Sequence, residues 1–491
     1  MTGRRCRCNR RRPDRLRCTA RSVVTAILAA LAVTSASYAD SFRDVLQDAG
    51  IEPSELDGIA ALADAAEPAD VAAPAALAAQ VLRRLEQADE FSSVTRLDGA
   101  SDPTQWQPGD LVRLSGTAVN VDELPAAAAR EFSDLDLPSD ALPRTVTAVV
   151  KVATGGGAWE LLVADTPHGW RGRSISTDAA ESVAAESVVI RPLDEAGQGG
   201  VALANRLAWF PHERAPAGWT WLASRGVDVA SLDAVRHNAP FAPAGSDEAA
   251  AFRSCLQAVR GMQPRELQRI AASEIRRIAD ADDAALRAML VPSGTTTTAK
   301  VRQETAQIAR EMRERADAGV SSVAPMFLRP SATAGRLVAI AGVARRAVRV
   351  LASADEEDRA AGGSSPGAER VSHYELDVYP PDSQNMPVVC CVSELPASFP
   401  LGDSIREPVR VAGVFFKLWT YHGRPDDEGV AKRTRGPVVI APAPIWQPKD
   451  TVPRSNNLAI IGGATFLVLL AALWFALVRS HRNERRRPRE L

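Results

Sequence analysis

The sequence predicts an α+β protein: two small β-barrel-like (OB-like) units, each preceded by helices, plus one C-terminal transmembrane helix. Three observations predict it. Two blocks of about five strand-like segments are separated by helical text, and five strands is the usual count of a small barrel. Landmarks recur in the same order in both blocks, as an internal duplication would leave them. Residues 458–478, "LAIIGGATFLVLLAALWFALV", form an apolar run without charge, matching the roughly 20 residues that cross a bilayer core. A β-sandwich is the alternative arrangement of the strands.

Taken in chain order, "MTGRRCRCNRRRPDRLRCTAR" is basic, "SVVTAILAALAV" is apolar, and "TSASYAD" offers the small residues Ser37 and Ala39. That is the order of a secretory signal peptide, residues 1–39, cut after Ala39. An uncleaved anchor is the alternative. Residues 40–101 read as short Ala/Leu helices broken by Pro. The first β-barrel-like domain spans 102–213, with strands in "DLVRLSGTAVNV", "RTVTAVVKV", "AWELLVAD", "ESVVIRPL" and "GGVALANRLAWF". Residues 214–320 return to helix. Ser246 or Asp247 caps one whose Phe252, Leu256 and Val259 share a face, and Pro264 opens the next. "TTTTAKVRQETAQIAREMRERADAG" is a charged surface helix. The second β-barrel-like domain spans 321–448, with Gly342 and Gly413 inside strands, where barrels bend or bulge. A linker at 449–457, the span at 458–478 and a basic tail at 479–491 follow. The tail has six Arg against two Glu, which places it in the cytoplasm and everything before the span outside.

The duplication rests on three pairs. "LVRLSG" (111–116) matches "LVAIAG" (337–342), and "WELLVA" (159–164) matches "YELDVY" (374–379). "ANRLAWFP" (204–211) and "APAPIWQP" (441–448) share Ala, Trp and Pro at the same spacing. The last pair reads as an end-of-domain mark, with Trp plugging the barrel and Pro stopping the ladder. A polar insertion follows the first strand of each block, at 354–370 in the second, and 422–436 reads as a loop between the last two strands.

Charge narrows the function. The chain carries a net charge of -2. Residues 40–457, the predicted ectodomain, hold 43 basic and 57 acidic residues. Such an acidic ectodomain repels phosphate backbones, so nucleic acid is excluded as a partner. The expected partners are the cell membrane, spanned once, and proteins of the envelope. None of the six His stands in an H-x-x-H or H-E-x-x-H pair, and neither a cofactor, a metal site nor a catalytic residue is predicted. "RPDDEG" (424–429) has too few ligands for a calcium loop. Cys255, Cys390 and Cys391 remain after signal cleavage and lack zinc spacing. In an oxidising compartment Cys255 could bridge to Cys390 or Cys391. Phe415, Lys417, Trp419 and Tyr421 alternate along the penultimate strand, which puts them on one face as a candidate ligand or partner surface, with Phe416 opposite.

"VRVAGVFFKLWTYHG" and "GPVVIAPAPIWQP", followed by the apolar run, resemble planctomycete single-pass membrane-anchored proteins. The resemblance covers the second strand block and the span. It implies an anchored ectodomain and assigns no activity to any residue. The expected function is a membrane-anchored extracytoplasmic binding or assembly protein. The alternatives are an extracytoplasmic hydrolase with a cleft between the two units, and a structural subunit of an envelope complex.

Overall fold

The computed structural model describes residues 41–64, 72–88, 103–124, 145–170, 181–212, 215–291, 295–296, 298–351, 371–425, 431–448 and 457–484. The predicted signal peptide, the insertion at 354–370, linker residues 449–456 and tail residues 485–491 lie outside these. The chain forms two compact units, Met1–Ala258 with Pro330–Arg336, and Val259–Arg329 with Leu337–Leu491. The boundary falls inside the helical segment 214–320, whose first part belongs to the first unit and the remainder to the second.

In the first unit, helix α1 (Phe42–Asp48) is opened by a reciprocal cap. The Asp44 amide donates to Ser41 Oγ, and the Ser41 amide donates to Asp44 Oδ2. With α2 (Pro53–Asp64) and α3 (Ala72–Ala88) it covers a sheet of β1 (Leu111–Glu123), β2 (Ala148–Thr154), β3 (Gly157–Asp165), β4 (Glu181–Arg191), β5 (Gly200–Arg206) and β6 (Ala208–Phe210). Phe42, Leu46, Leu56, Ile59 and Leu82 from the helices form one apolar cluster with Leu111, Leu162, Val188 and Leu203 from the strands. The ring runs β1-β2-β3-β5-β4 and returns to β1. Neighbours are antiparallel except β3 and β5, which are parallel. This is a closed five-stranded barrel, as the sequence leads one to expect.

The second unit holds α6 (Pro264–Ala279), α7 (Asp283–Leu290), α8 (Ala299–Asp317) and α9 (Ala324–Leu328); α4 (Ala217–Ser224), α5 (Asp247–Val259) up to Ala258 and the short α10 (Pro330–Thr333) belong to the first. Its strands are β7 (Leu337–Leu351), β8 (Val371–Tyr379), β9 (Val388–Val392), β10 (Glu407–Pro425), β11 (Ala431–Ala441) and β12 (Ile445–Trp446). The pairing order β7-β8-β9-β11-β10, returning to β7, repeats that of the first unit, with β9 and β11 its parallel pair. Alternate residues of all five strands meet Met326 of α9 in a single core, among them Ile340, Leu376, Cys390, Val411 and Val439. Helix α6 packs on β7 and β10.

Ring position tests the three sequence pairs. "LVRLSG" and "LVAIAG" both begin the first strand. In each, the glycine stands where that strand passes from its fourth-strand partner to its second-strand partner. A Cβ on Gly116 would lie 2.3 Å from the Ala153 carbonyl oxygen, and one on Gly342 2.5 Å from that of Tyr379. The second pair fails. "WELLVA" lies in the third strand of its ring and "YELDVY" in the second strand of the other. Their shared aromatic-Glu-Leu text reflects strand composition, and the third-strand counterpart is the short "VVCCV".

The Trp-x-Pro endings are equivalent in more detail than the sequence shows. Each forms a short sixth strand, antiparallel to the fourth: Trp209 faces Val183, and Trp446 faces Val409. Each indole N–H donates to the glutamate that begins that fourth strand, Trp209 to Glu181 at 3.2 Å and Trp446 to Glu407 at 2.7 Å. Trp209 is enclosed between Trp170 and Trp219, both edge-on at 75°. Trp446 sits edge-on to Phe399.

Two further expectations change. The segment 422–436 is mostly strand, because β10 and β11 pair from Val414–Ile440 out to Pro425–Ala431, which leaves the predicted loop only 426–430, outside the described residues. The last helix, α11 (Asn457–Glu484), has 28 residues, but its side chains are described only over residues 465–479. Among the described residues no helix is long and apolar enough to cross a membrane.

Candidate functional site

The site builds outward from β10. Val409 and Val411 enter the apolar core, and Phe415 follows with the same parity. Opposite β11, Phe415 pairs with Val439 and Lys417 with the adjacent Val438. Phe416 is therefore an extra residue, a β-bulge, and beyond it the alternation inverts. Leu418 joins Phe415 in the core. Lys417, Trp419 and Tyr421 take the opposite face, where the Trp419 and Tyr421 rings lie 4.6 Å apart. The candidate surface thus loses Phe415, which is core. Lys417 is fully enclosed, so its ammonium is no part of an open platform. Trp419 and Tyr421 are half-buried.

The same face continues over β8 and β9. Leu376 and Val378 of β8 point into the core, so His373, Glu375, Asp377 and Tyr379 point the other way. On β9 Cys390 is in the core cluster, so Cys391 faces the opposite way, and Glu375 and Cys391 are direct cross-strand partners. A second bulge, at Arg345 of β7, brings Arg346 opposite Asp377. The Arg346 guanidinium lies 3.7 Å from both Glu375 and Asp377 and 3.3 Å from Asp403. Arg345, turned aside by the bulge, stacks on Tyr379 at 4.1 Å.

His373 is buried. Its Nδ1 is 3.3 Å from Ser372 Oγ and its Nε2 is 4.0 Å from Glu375 Oε1. One ligand atom each from His373, Glu375 and Cys391 lies within 4.8 Å of the others. The sequence conceals this trio. His373 and Glu375 form an H-x-E pair that an alternating strand places on one face, but Cys391 arrives only through the β8–β9 register.

The electrostatics decide what the trio can do. Burial raises the Glu375 and Asp377 carboxyls above their ordinary range, and Arg346 only partly offsets it. Burial also pushes the Cys391 thiol well up, reinforced by the charges of Glu375, Cys390 and Asp377. A nucleophilic cysteine needs the reverse, a thiol lowered by nearby positive charge. The trio is therefore unsuited to thiolate attack. Across the same face the Tyr421 phenol is pushed up to about 12, by burial first and then by Asp377 and Tyr379.

Arg346 yields a signed prediction. Raised carboxyls hold protons in the folded state, so the stability they contribute is complete below their unfolded values. It is lost as pH rises through their folded values. Arg346 limits that loss on the alkaline side. Arg346→Gln should lower the thermal midpoint more near pH 7 than near pH 4. The deficit should be about 1 kcal/mol or less, because the side chain is 37% exposed. An equal deficit at both pH values would contradict the electrostatic role.

Among the described residues Cys255, Cys390 and Cys391 are fully buried. Cys255 belongs to the first unit and Cys390 and Cys391 to the second, and all three are free thiols in this structure. Burial pushes the Cys255 thiol up to about 12, which removes it from exchange chemistry. In the first unit a cavity of about 580 Å³ is lined by Thr147, Asp165, His168, Arg206 and Asp233. His168 is tied to Asp233, with Nδ1 3.3 Å from Oδ1 and the amide donating to Oδ2 at 2.8 Å. Ser182 Oγ lies 2.6 Å from His212 Nε2, but neither lines that cavity.

Ring order and site together define a class: a protein of two like five-stranded β units, the second bearing a partly buried, acid-rich polar face on its second and third strands. No protein-family model matches the chain, and no curated protein matches it.

Proposed function

We propose that the chain is a membrane-anchored extracytoplasmic binding protein that displays two OB-like modules. The observation that carries the reading is the location of the polar face. OB-folds bind ligands on strands 2 and 3 and the adjoining loops. His373, Glu375 and Asp377 on β8 and Cys391 on β9 occupy that position in the second ring. The repeated strand order and the repeated Trp–Glu bond support a duplicated module. The resemblance to planctomycete membrane-anchored proteins agrees with the same reading.

Helix α11 supports the anchor. Phe466, Leu467, Val468, Leu469, Leu473, Trp474, Phe475 and Leu477 are all exposed, and they occupy every side of the helix. A helix apolar all round belongs in a protein core or a bilayer. The apolar sequence 458–478 and the basic tail extend it to a spanning length with the C-terminus inside. The acidic balance of the remainder argues for protein or cationic ligands over nucleic acid.

Reporter fusions test the topology. A reporter active only in the cytoplasm should be silent after Pro448 and active after Leu491. Activity after Pro448 would place the β units inside and sink the proposal. Cross-linking in intact cells should then capture envelope partners, and Trp419→Ala with Tyr421→Ala should reduce that capture if this face is the partner surface.

A further inference from the structure

We infer that His373, Glu375 and Cys391 form a site for one divalent transition-metal ion of the zinc type. Ligand chemistry selects the class. A thiolate, an imidazole and a carboxylate make a mixed set that zinc accepts, whereas calcium and magnesium require oxygen ligands throughout. The three ligand atoms lie within 4.8 Å of one another. A tetrahedral zinc needs them about 3.5 Å apart, from bond lengths of about 2.0–2.3 Å, which small side-chain rotations would supply.

The surroundings are those of a built site. His373 and Cys391 are buried and held by adjacent strands in register, so the set is preorganised by the ring. His373 Nδ1 lies 3.3 Å from Ser372 Oγ. With that nitrogen protonated and donating to the hydroxyl, Nε2 turns its lone pair toward Glu375 and Cys391, the second-sphere contact that metal-binding histidines use. Arg346 lies 3.7 Å from Glu375 Oε2, the oxygen other than the one nearest His373. One thiolate and one carboxylate balance the two charges of the metal. Three protein ligands leave a fourth position for water or a ligand group. The inference does not depend on the membrane anchor, and it would stand if the topology were reversed.

The test is cobalt titration of the reduced full chain in detergent. Cobalt bound to a thiolate gives an intense charge-transfer absorption that oxygen or nitrogen ligands do not. One equivalent of cobalt should produce that band, and zinc should displace it. Cys391→Ala should abolish the band, while Cys390→Ala, on the opposite face of the same strand, should keep it. His373→Gln should weaken binding by at least 100-fold, and Ser372→Ala, which leaves all three ligands, by roughly 10-fold. Circular dichroism establishes which variants fold. Should Cys391→Ala fail to fold, His373→Gln and Ser372→Ala decide the matter. No thiolate band in the wild-type chain, a band that survives Cys391→Ala, or unchanged affinity in both His373→Gln and Ser372→Ala overturns the site.

Discussion

Gly342→Ala is expected to disable the second ring. The added methyl carbon would lie 2.5 Å from the Tyr379 carbonyl oxygen, 2.7 Å from its carbon and 3.0 Å from the Pro380 nitrogen. All three are backbone atoms of the neighbouring strand and its exit, so no side chain can rotate away. The glycine has no unusual dihedral to preserve; what it provides is close approach at the corner where β7 changes partner. Forcing the strands apart there should cost about 3 kcal/mol or more, the upper end of overpacking effects. Gly58→Ala is the control. Gly58 lies within α2 with nothing inside 4 Å of a new Cβ, so the same substitution should stabilise by about 0.5–1 kcal/mol. Urea unfolding of the detergent-solubilised chain reads both. If Gly342→Ala left the midpoint unmoved, the packing of β7 against β8 described above would be wrong.

Trp209→Ala should be comparably severe in the first unit. The indole is fully enclosed, edge-on to Trp170 and Trp219 with centroids at 6.3 and 5.5 Å. Gly169 approaches so closely that a Cβ there would be 2.3 Å from the ring. Truncation leaves a large cavity and removes a donor from the buried Glu181. Together these should cost about 3–5 kcal/mol, typical of a buried Trp to Ala change. Trp209→Phe separates the terms: it keeps most of the volume but not the N–H, and should cost about 1–3 kcal/mol, the range for an orphaned buried polar group. Unfolding followed by tryptophan fluorescence should show the first unit's transition shifting. Equal costs for Ala and Phe would assign the whole effect to the hydrogen bond.

These two residues also mark what the sequence discloses. Gly342 is conspicuous as a glycine inside an apolar, strand-like run, and the Trp-x-Pro endings stand out by composition, so both rings and their ends could be placed. What followed from cross-strand geometry could not. The Trp209–Glu181 bond joins residues 28 apart through a pairing between fourth and sixth strands. The match of "WELLVA" to "YELDVY" misled because strand composition does not encode ring position. The polar site was half legible: alternation puts Lys417, Trp419 and Tyr421 together, and equally puts His373 with Glu375. Cys391 joins that pair only through register, and Phe415 leaves the first group only because of a bulge that no residue type announces.

That bulge has a wider consequence. β10 carries two reading frames, one on each side of Phe416. Before it, odd-numbered residues build the apolar wall; after it, even-numbered Leu418 does, and the odd positions supply Lys417, Trp419 and Tyr421 to the polar face. Without Phe416 the pairs Phe415–Val439 and Lys417–Val438 would follow one another directly, and plain alternation would still put Lys417 on the polar face and Leu418 in the core. The extra residue therefore decides how β10 bends at this point and leaves the division of its side chains between the two faces unchanged.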